Sequence, residues 1–404
     1  VAFAGSWHGV KYPNRAKAID DLFSYPMNKN LLDIYDRHSE STDERLAFPK
    51  KYKRSLRGSV PYSDISDVVY KKYSFILNVN SVDDSSSMVA RRIYELAACG
   101  TPVISSSSPA ISKSFSDSIM QAADSADVKR ILEHSDPLET LRRAVRGVRT
   151  ALTYNTYQNR VAEIFKTIGS QDEHSPEAIT CILVSKRPKF LRHIAAQLNQ
   201  QVYSNIKVIF VSHGPVIDEA DVLRVFNKRF EVQYLTYPAV DTVLADGLNL
   251  ALSKCKTDFV AKIDDDDFYG PNYISDQVLA LRYSSASVVG KSSYFVHLKE
   301  TDQTGLRFKD KHYRFMKRIH GGTLVWSRLR VEYQRFDRVI QGTDSLFLKS
   351  VIENGGSLFS SDPFNFIHVR YDNANQHTWK ISNEDMQSKM TGLVSGIDFD
   401  AVYT

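Results

Sequence analysis

Four consecutive carboxylates are the side chains of this sequence best placed to do chemistry. The aspartates 264–267 follow the apolar, β-leaning segment 259–263, and Gly270 and Pro271 come shortly after them. This order predicts a buried strand that ends in a turn and presents the acids at its carboxyl end. Because neighbouring carboxylates repel one another, a cation should share the site, and Mg²⁺ or Mn²⁺ prefers such oxygen ligands. A solvated acidic turn is the alternative.

The elements that must position these acids are strands and helices in alternation. A chain of 404 residues exceeds what one core usually supports, so two domains are expected. The polar stretch 169–177 lacks periodicity and predicts a linker between a domain at 1–168 and a domain at 178–404. On both sides of it, short apolar strands alternate with segments of helical spacing, one of which covers 139–168. This alternation predicts two α/β, Rossmann-like domains with mainly parallel sheets.

Composition and charge limit the classes of protein to which this sequence can belong. A net charge of +5 is mild for this length and gives no indication of a nucleic-acid partner. The three cysteines are widely spread, which predicts no disulfide framework and fits a reducing cytoplasm. No apolar run reaches the length of a membrane span. The sequence opens at Val1 inside an apparent strand, so we expect it to be a fragment of a longer protein.

Three loops of the first domain stand where a parallel sheet places ligands, at the carboxyl ends of its strands. They contain the candidate site residues Ser6, His8, Arg37 and Ser86. The serines at 85–87 are also expected to cap a helix over 87–99, which Gly100 and Pro102 end. Glu95 lies on the apolar side of that helix, where an unpaired carboxylate would be costly.

The pattern around Glu95 resembles the carboxyl-terminal lobe of GT-B glycosyltransferases, in the branch related to CgeB-like proteins. The resemblance covers about residues 1–168 and implies that Glu95 holds the ribose of a nucleotide. An acid that caps a helix or pairs with an arginine is the alternative. Because a GT-B enzyme needs two lobes, the resemblance implies either a second lobe upstream of Val1 or an inactive scaffold domain.

The second domain resembles family 2 glycosyltransferases of the GT-A fold. The similarity lies in the opening strand and loop 180–188, the glutamine turn 198–201, the helix 245–252 and the acid run itself. It implies that Asp264 and Asp266 bind the metal in a DXD motif. It also implies a donor-binding role for Ser185, Arg187, Asp246 and Asp265. His213 stands near the position where the family usually has an aspartate, and a helix-surface acid is the alternative for Asp246.

Three later motifs extend the resemblance. The turn at 320–326 is similar to the family's glycine turn under the acceptor, which implies acceptor contacts by Gly321, Gly322 and Asp267. The segment 336–348 implies that Asp344 is the general base, with a helix N-cap as the alternative. The late segment 366–379 implies that His368 binds the metal and that Arg370 and His377 bind the diphosphate.

The whole pattern predicts a metal-dependent inverting glycosyltransferase that uses Mn²⁺ or Mg²⁺. Its expected donor is a nucleotide diphosphate-sugar and its expected acceptor is a glycan or a lipid-linked molecule of bacterial cell-surface polysaccharide synthesis. The Lys/Arg-rich segment 291–338 fits a clamp for the diphosphate, a site for an anionic glycan, or peripheral contact with lipid headgroups at the inner face of the membrane from the cytoplasm. A solvated basic face is the alternative. Two alternatives remain open: a scaffold that binds nucleotide sugars or glycans without turnover, and a sugar nucleotidyltransferase.

Overall fold

The computed structural model describes residues 1–43, 45–169, 176–213, 217–226, 229–237, 241–331, 333, 335–371 and 383–404. The chain divides into two compact units, Val1–Asp172 and Glu173–Thr404. Most of the predicted linker at 169–177 lies outside the described residues. Each unit is a mixed α/β structure built around parallel strands, as predicted from the alternation of strands and helices.

The first unit contains five short strands and six helices in its described part. In chain order these are β1 (Ala2–Ala4), α1 (Pro13–Asn28), β2 (Asp33–Tyr35), β3 (Ile76–Asn78), α2 (Arg91–Ala98), β4 (Val103–Ser106), α3 (Pro109–Phe115), β5 (Met120–Ala122), α4 (Ser125–His134), α5 (Pro137–Arg149) and α6 (Tyr157–Thr167). The strands form one sheet in the order β2-β1-β3-β4-β5, and every neighbouring pair is parallel.

Both faces of this sheet are covered, as expected of parallel sheets. Side chains alternate along each strand, so Phe3 and Leu77 enter one apolar cluster while Ala2 and Ile76 enter another. All four are fully buried. The strands are therefore fixed by packing on both sides, and their carboxyl ends lie along one edge of the sheet.

Two expectations about helices in this unit are corrected. Helix α2 begins at Arg91, and the serines upstream do not cap it: Ser85 Oγ accepts the backbone N–H groups of Ser87 and Met88 in a local turn instead. Serine side chains compete for nearby backbone groups in this way, and the helix starts only after the turn. The helical spacing over 139–168 is also interrupted, because a π-helical turn follows α5 and Thr156 caps α6 anew.

The second unit is larger. Its described elements are β6 (Ile179–Ser185), α7 (Leu191–Asn199), β7 (Ile206–His213), α8 (Glu219–Phe226), β8 (Glu231–Tyr237), α9 (Leu244–Lys254), β9 (Phe259–Ile263), β10 (Phe268–Tyr269), α10 (Tyr273–Ser284), β11 (Val288–Gly290), β12 (Tyr294–Leu298), β13 (Gln303–Arg307), β14 (Arg314–Met316), β15 (Val325–Ser327), α11 (Thr343–Glu353), β16 (Leu358–Ser360), β17 (Phe366–Arg370), α12 (Asn383–Gln387), β18 (Met390–Ser395) and α13 (Phe399–Val402).

Two sheets organise this unit. The larger has eight strands in the order β14-β16-β11-β15-β9-β6-β7-β8, and its strands β9, β6, β7 and β8 are mutually parallel. The smaller has the order β10-β17-β12-β13-β18. All five residues of β9 are buried, and the strand has the bounds predicted for the segment that precedes the acids. None of the helices in the described part of the chain has both the length and the apolar character needed to cross a bilayer.

Candidate active site

The acid run leaves the carboxyl end of β9 between two neighbouring strands. Strand β6 pairs with β9 in parallel on one side, and β15 pairs with it in the antiparallel sense on the other. The turn is closed by Tyr269, a buried side chain whose hydroxyl accepts the backbone N–H of Asp264 at 2.9 Å and donates to the carbonyl oxygen of Gly322 at 2.8 Å. This link fixes the first acid relative to the glycine turn.

Two of the acids are held from the end of β6. Arg187 donates from Nη1 to Asp266 Oδ2 at 2.7 Å and from Nε to Asp265 Oδ2 at 3.2 Å, and its Nη2 also pairs with Asp265. The hydroxyl of Ser185 donates to Asp265 as well. Burial raises the pKa of Asp265 and of Asp266, and the guanidinium of Arg187 opposes both shifts. The loop that follows β6 thus places the guanidinium of Arg187 against these two acids.

A second cation lies inside the sheet. Lys262 belongs to β9, its side chain is buried, and its Nζ lies 2.6 Å from Asp264 Oδ1 and 3.4 Å from Asp344 Oδ2. Burial alone would lower the pKa of this lysine, but the two carboxylates outweigh burial and raise it. Lys262 therefore carries a positive charge between the acid run and the predicted general base.

Asp267 faces the smaller sheet. Its Oδ1 accepts the backbone N–H of Val369 at 2.9 Å and lies 3.0 Å from Nδ1 of His368. Burial opposes protonation of His368, yet the carboxylate of Asp267 raises the pKa of this histidine. The His368 ring stands 4.7 Å from that of His320, whose pKa burial and the neighbouring imidazole hold well below its usual value. The two neighbouring rings thus differ in their affinity for a proton.

Asp344 lies in the first turn of α11. The helix starts at a left-handed residue, Gly342 with φ of 84°, whose carbonyl accepts the N–H of Leu346 at 3.0 Å. Gly342, and not Asp344, occupies the N-cap position. Burial raises the pKa of Asp344; Lys262 opposes this shift and Asp264 adds to it. Its Oδ1 is shielded from solvent and has no hydrogen-bond partner within the described ranges.

The predicted glycine turn is packed against three carboxylates. A Cβ on Gly321 would overlap the carboxylate of Asp344. A Cβ on Gly322 would stand 2.9 Å from Asp267 Oδ2 and 3.1 Å from Asp264 Oδ2. Such distances are too short for real side chains, so glycine is needed at both positions for close approach. The turn brings the acid run and Asp344 together on one side of the site.

The predicted metal ligands Asp264, Asp266 and His368 are not gathered around one point. Carboxylate oxygens suit Mg²⁺ and Mn²⁺ chemically. In this arrangement, however, Lys262 holds Asp264 and Arg187 holds Asp266, and in the described part of the chain no three His, Cys, Asp or Glu side chains are grouped closely enough to hold a metal ion. Cations of the chain itself pair with these acids in this arrangement, so a divalent ion would have to displace Arg187 or Lys262.

Three further predicted donor contacts have distinct positions. Asp246 accepts the backbone N–H of Val243 at the start of α9 and pairs with Arg338 at 2.9 Å, so it stabilises the helix start and a neighbouring loop. Arg370 is buried in β17 on the sheet face that carries His368, since residues two apart in a strand share a face. His377 lies outside the described residues.

The first unit contains a cavity of about 570 Å³ at the carboxyl ends of β1, β2 and β3. Ser6, His8, Arg37 and Glu95, four of the five residues predicted for this site, line it. Ser86 is not among the lining residues. The cavity therefore lies where strand-end loops were predicted to form a ligand site.

Four arginine side chains line the cavity. Arg15 and Arg92 both lie over the ring of Phe3, at 5.9 and 5.1 Å from its centroid, and Arg37 and Arg91 also line the space. Burial lowers the pKa of Arg15 to about 10 and also lowers that of Arg92. Neither of these two forms a salt bridge to a carboxylate of the described residues. A buried and a half-buried guanidinium at close range favour a bound anion.

Glu95 is a paired acid in this structure. Its Oε1 accepts the hydroxyl of Tyr62 at 2.6 Å and lies 2.9 Å from Nε of Arg91, and its Oε2 accepts the hydroxyl of Tyr70 at 3.2 Å. Pairing of this kind agrees with the structural alternative for Glu95. The same carboxylate also lines the cavity, so pairing does not separate the two roles.

Three residues of the second site were not predicted from the sequence: Lys262, Tyr269 and His320. A lysine in the middle of an otherwise apolar strand was a visible signal, because an ammonium is rarely buried without acid partners. Tyr269 and His320 flank motifs that were recognised, the acid run and the glycine turn, but only the folded chain shows what their side chains contact.

Two family models match parts of the chain. Residues 33–166 match the model described as "Glycosyl transferase-like", and residues 153–331 match that of "Glycosyl transferase family 2". The two segments occur in the order that the sequence resemblance implied, so the predicted combination is confirmed. The second match ends before Asp344 and His368. No curated protein matches the chain significantly.

Solved structures resemble about half of the chain at low identity. S. aureus TarS 1-349 in complex with UDP-GlcNAc is 12% identical, with a TM-score of 0.40, over 52% of this chain and 64% of that one. Mannosyltransferase PcManGT from Pyrobaculum calidifontis, in complex with GDP-Man and Mn²⁺, is 12% identical, with a TM-score of 0.37, over 52% and 63%. The chain thus spans less than two thirds of these proteins. Because both TM-scores are below 0.5, no ligand or residue role is transferred from them.

Proposed function

We propose that the second unit transfers a sugar from a nucleotide diphosphate-sugar to a hydroxyl group, with inversion at the anomeric carbon. The two family matches, both to glycosyltransferase models, support this proposal. The observation that carries the proposal is the position of Asp344. Its carboxylate lies beside the acid run, across the glycine turn, with one shielded oxygen that has no partner in the described part of the chain.

Asp344 is the proposed general base. Its carboxylate takes the proton of the acceptor hydroxyl while the acceptor oxygen attacks C1 of the donor sugar. The bond from C1 to the diphosphate oxygen breaks, and the nucleoside diphosphate leaves with the electron pair. A raised pKa suits this role, because it makes the carboxylate a stronger base than a free aspartate.

The leaving diphosphate needs positive charge nearby. Arg187 at the end of β6 is the proposed contact of this chain, together with Ser185 and Arg370. Gly321 and Gly322 are the proposed floor for the acceptor, since they permit backbone to approach a ligand. His377 remains a proposal from the sequence alone.

A requirement for Mn²⁺ or Mg²⁺ is also proposed, although the acids are occupied by protein cations in this arrangement. The support is the carboxylate chemistry of the run 264–267, and such an ion would supply charge neutralisation for the leaving group. Asp266→Ala should abolish transfer without unfolding the chain. Full activity in excess EDTA would argue against the requirement.

The first unit is proposed to bind a nucleotide of its own. The observation that favours this second function is the arginine-lined cavity at the strand ends, with Glu95 and two tyrosines at its rim. Nucleoside diphosphates offer the anionic groups for such arginines and hydroxyls for such a carboxylate.

The sequence resemblance is the basis for the proposed biological setting. In that setting the acceptor is a glycan or a lipid-linked molecule of cell-surface polysaccharide synthesis, at the inner face of the membrane.

The stereochemistry of the product tests the proposed reaction. A set of α-linked nucleotide sugars is offered with Mn²⁺, and the product of any active donor is examined by NMR. Single displacement at C1 should give a β-linked product, which the coupling constant at the anomeric proton reports. An α-linked product from an α-linked donor would refute inversion. Release of pyrophosphate from a nucleoside triphosphate would favour a nucleotidyltransferase instead.

A further inference from the structure

Lys262 is a buried ammonium in the centre of the second unit. Its relative exposure is 2% and its neighbours in β9 are apolar, so its charge would be costly unless all its donors were paired. An ammonium has three N–H donors. Nζ lies within reach of three acceptors: Asp264 Oδ1 at 2.6 Å, the carbonyl oxygen of Gly321 at 3.2 Å and Asp344 Oδ2 at 3.4 Å.

These three acceptors belong to three different elements. Asp264 is at the exit of β9, Gly321 is in the glycine turn, and Asp344 is in the first turn of α11. One side chain therefore connects the acid run, the proposed acceptor floor and the proposed base. The two oxygens of Asp344 have different surroundings. Oδ2 faces the ammonium, while Oδ1 is shielded from solvent and has no hydrogen-bond partner in the part of the chain that the structure describes.

We propose that Lys262 is a positioning residue for the transfer reaction: it holds the Asp344 carboxylate in one orientation beside the glycine turn and keeps it apart from Asp264. The proposal rests on the proposed role of Asp344 as base. A carboxylate without such a contact rotates between two equivalent orientations, and two neighbouring acids without a cation between them repel each other. Lys262 removes both sources of disorder and does not itself touch the substrate.

The same unit contains a matched control. Lys291 is also fully buried, and its Nζ donates to the carbonyl oxygen of Asp362 at 2.7 Å and lies 3.2 Å from Asp362 Oδ1. Its ammonium contacts none of the proposed site residues in the described structure. Lys291→Met and Lys262→Met therefore remove the same kind of buried ion pair, but only the second disturbs Asp344.

The test compares kcat and KM in the purified full chain with an active donor and acceptor. Lys262→Met should lower kcat by about 10²-fold, toward the loss expected for a missing general base, with little change in the KM of the donor. The double variant Lys262→Met/Asp344→Asn should lose no more than Asp344→Asn alone, because residues that act as one unit are not additive. Lys291→Met should lose stability with kcat of the folded protein unchanged.

Chemical rescue distinguishes the loss of the ammonium from a folding defect. Lys262→Ala lacks three methylene groups and an ammonium, which n-propylamine can replace, so added n-propylamine should restore part of its kcat. n-Propanol, which lacks the charge, should not, and neither should n-propylamine with Asp344→Asn. A Lys262→Met variant with unchanged kcat, or a double variant whose losses multiply, would overturn the positioning role. If the wild-type chain transfers no sugar with any donor, the proposed function falls, and this inference falls with it.

Discussion

The candidate sites of the two units lie at the same place in similar sheets but have opposite charge. The cavity of the first unit is lined by four arginines and one glutamate at the ends of parallel strands. The site of the second unit has four aspartates at the end of β9 and Asp344 beside them, with Lys262 and Arg187 as cations. A basic cavity can bind an anion directly, whereas an acidic cluster must first hold cations. The two units are therefore proposed to bind different kinds of ligand with similar architectures.

The largest expected effect is on kcat, and it should distinguish the proposed base of the second unit from the proposed binding residue of the first. Asp344→Asn in the second unit should lower kcat by about 10²–10⁴-fold, the usual cost of removing a positioned general base. Glu95→Gln makes the same carboxylate-to-amide change in the first unit and should leave kcat nearly unchanged. Steady-state transfer rates of both variants provide the measurement. Equal losses would show that the two sites do not divide these roles.

An exposed acid close to Asp344 controls for general electrostatic effects. Asp337 is exposed, seven positions before Asp344, and no side-chain contact to the site involves it in the described structure. Asp337→Asn should therefore retain the wild-type rate. A comparable loss with Asp337→Asn would mean that net charge, and not the position of Asp344, controls the rate.

A smaller effect concerns the cations of the acidic site. Because Arg187 occupies Asp265 and Asp266, a divalent ion must compete with it. Arg187→Ala should therefore raise the affinity of the ligand-free chain for Mn²⁺ by about tenfold, or roughly 1.4 kcal/mol. Titration calorimetry measures the affinity independently of activity. Lys189→Ala removes a nearby exposed cation that does not contact the acids and should change little; weaker binding of Mn²⁺ to Arg187→Ala would contradict the competition.

The basic cavity should bind a nucleoside diphosphate without any divalent ion. Binding to the native state raises Tm, which a thermal shift in the presence of EDTA detects. Arg37→Ser removes an exposed arginine of the cavity wall and should weaken binding by about fivefold, or roughly 1 kcal/mol for an exposed ion pair. Arg45→Ser, an exposed arginine of the same unit outside the cavity, is the control. Binding that depends wholly on Mn²⁺ would assign the nucleotide to the acidic site.

The smallest effect is a pH dependence within the acidic site. The pKa of His320 is held below its ordinary value, so the unfolded chain takes up a proton first, and the free energy of unfolding should fall as pH drops below about 6.5. The pKa of His368 is raised, so its contribution should be lost as pH rises through the folded value. Each proton accounts for at most about 1.4 kcal/mol per pH unit.

Tm measured against pH for His320→Gln and His368→Gln checks these signs. The first variant should flatten the acid side of the curve, and the second should flatten the side above the ordinary pKa of histidine. Identical curves for both variants would show that the pKa values of these two neighbouring rings are not shifted in opposite directions.

Local sequence patterns predicted much of the fold, because strands and helices here follow local periodicity. Strand β9 has the predicted bounds, since five apolar or β-leaning positions followed by acids leave little freedom. The serines before α2 misled the prediction because a local turn competes with helix capping. Periodicity could not distinguish a continuous helix over 139–168 from two helices joined by a π-helical turn.

The sequence predicted many residues of the site but not the contacts between them. Motifs pointed to Asp264, Asp344 and Gly321, and the structure places all three around one lysine. No local pattern could show this, because the contacts join segments far apart in the sequence. The pairing of Arg187 with two acids is long-range for the same reason, and it decides which cation the acids hold in this arrangement.

Gly342, the left-handed residue at the start of α11, limits which insertions and deletions this part of the sequence can tolerate. Because Gly342 fixes where the helix begins, it also fixes the angular position of Asp344 on the helix. Each residue added or removed inside the first turn would rotate the carboxylate by about 100° around the helix axis, away from Lys262 and the glycine turn. We therefore expect length changes in the loop before Gly342 to be tolerated far better than a single-codon insertion between Gly342 and Asp344.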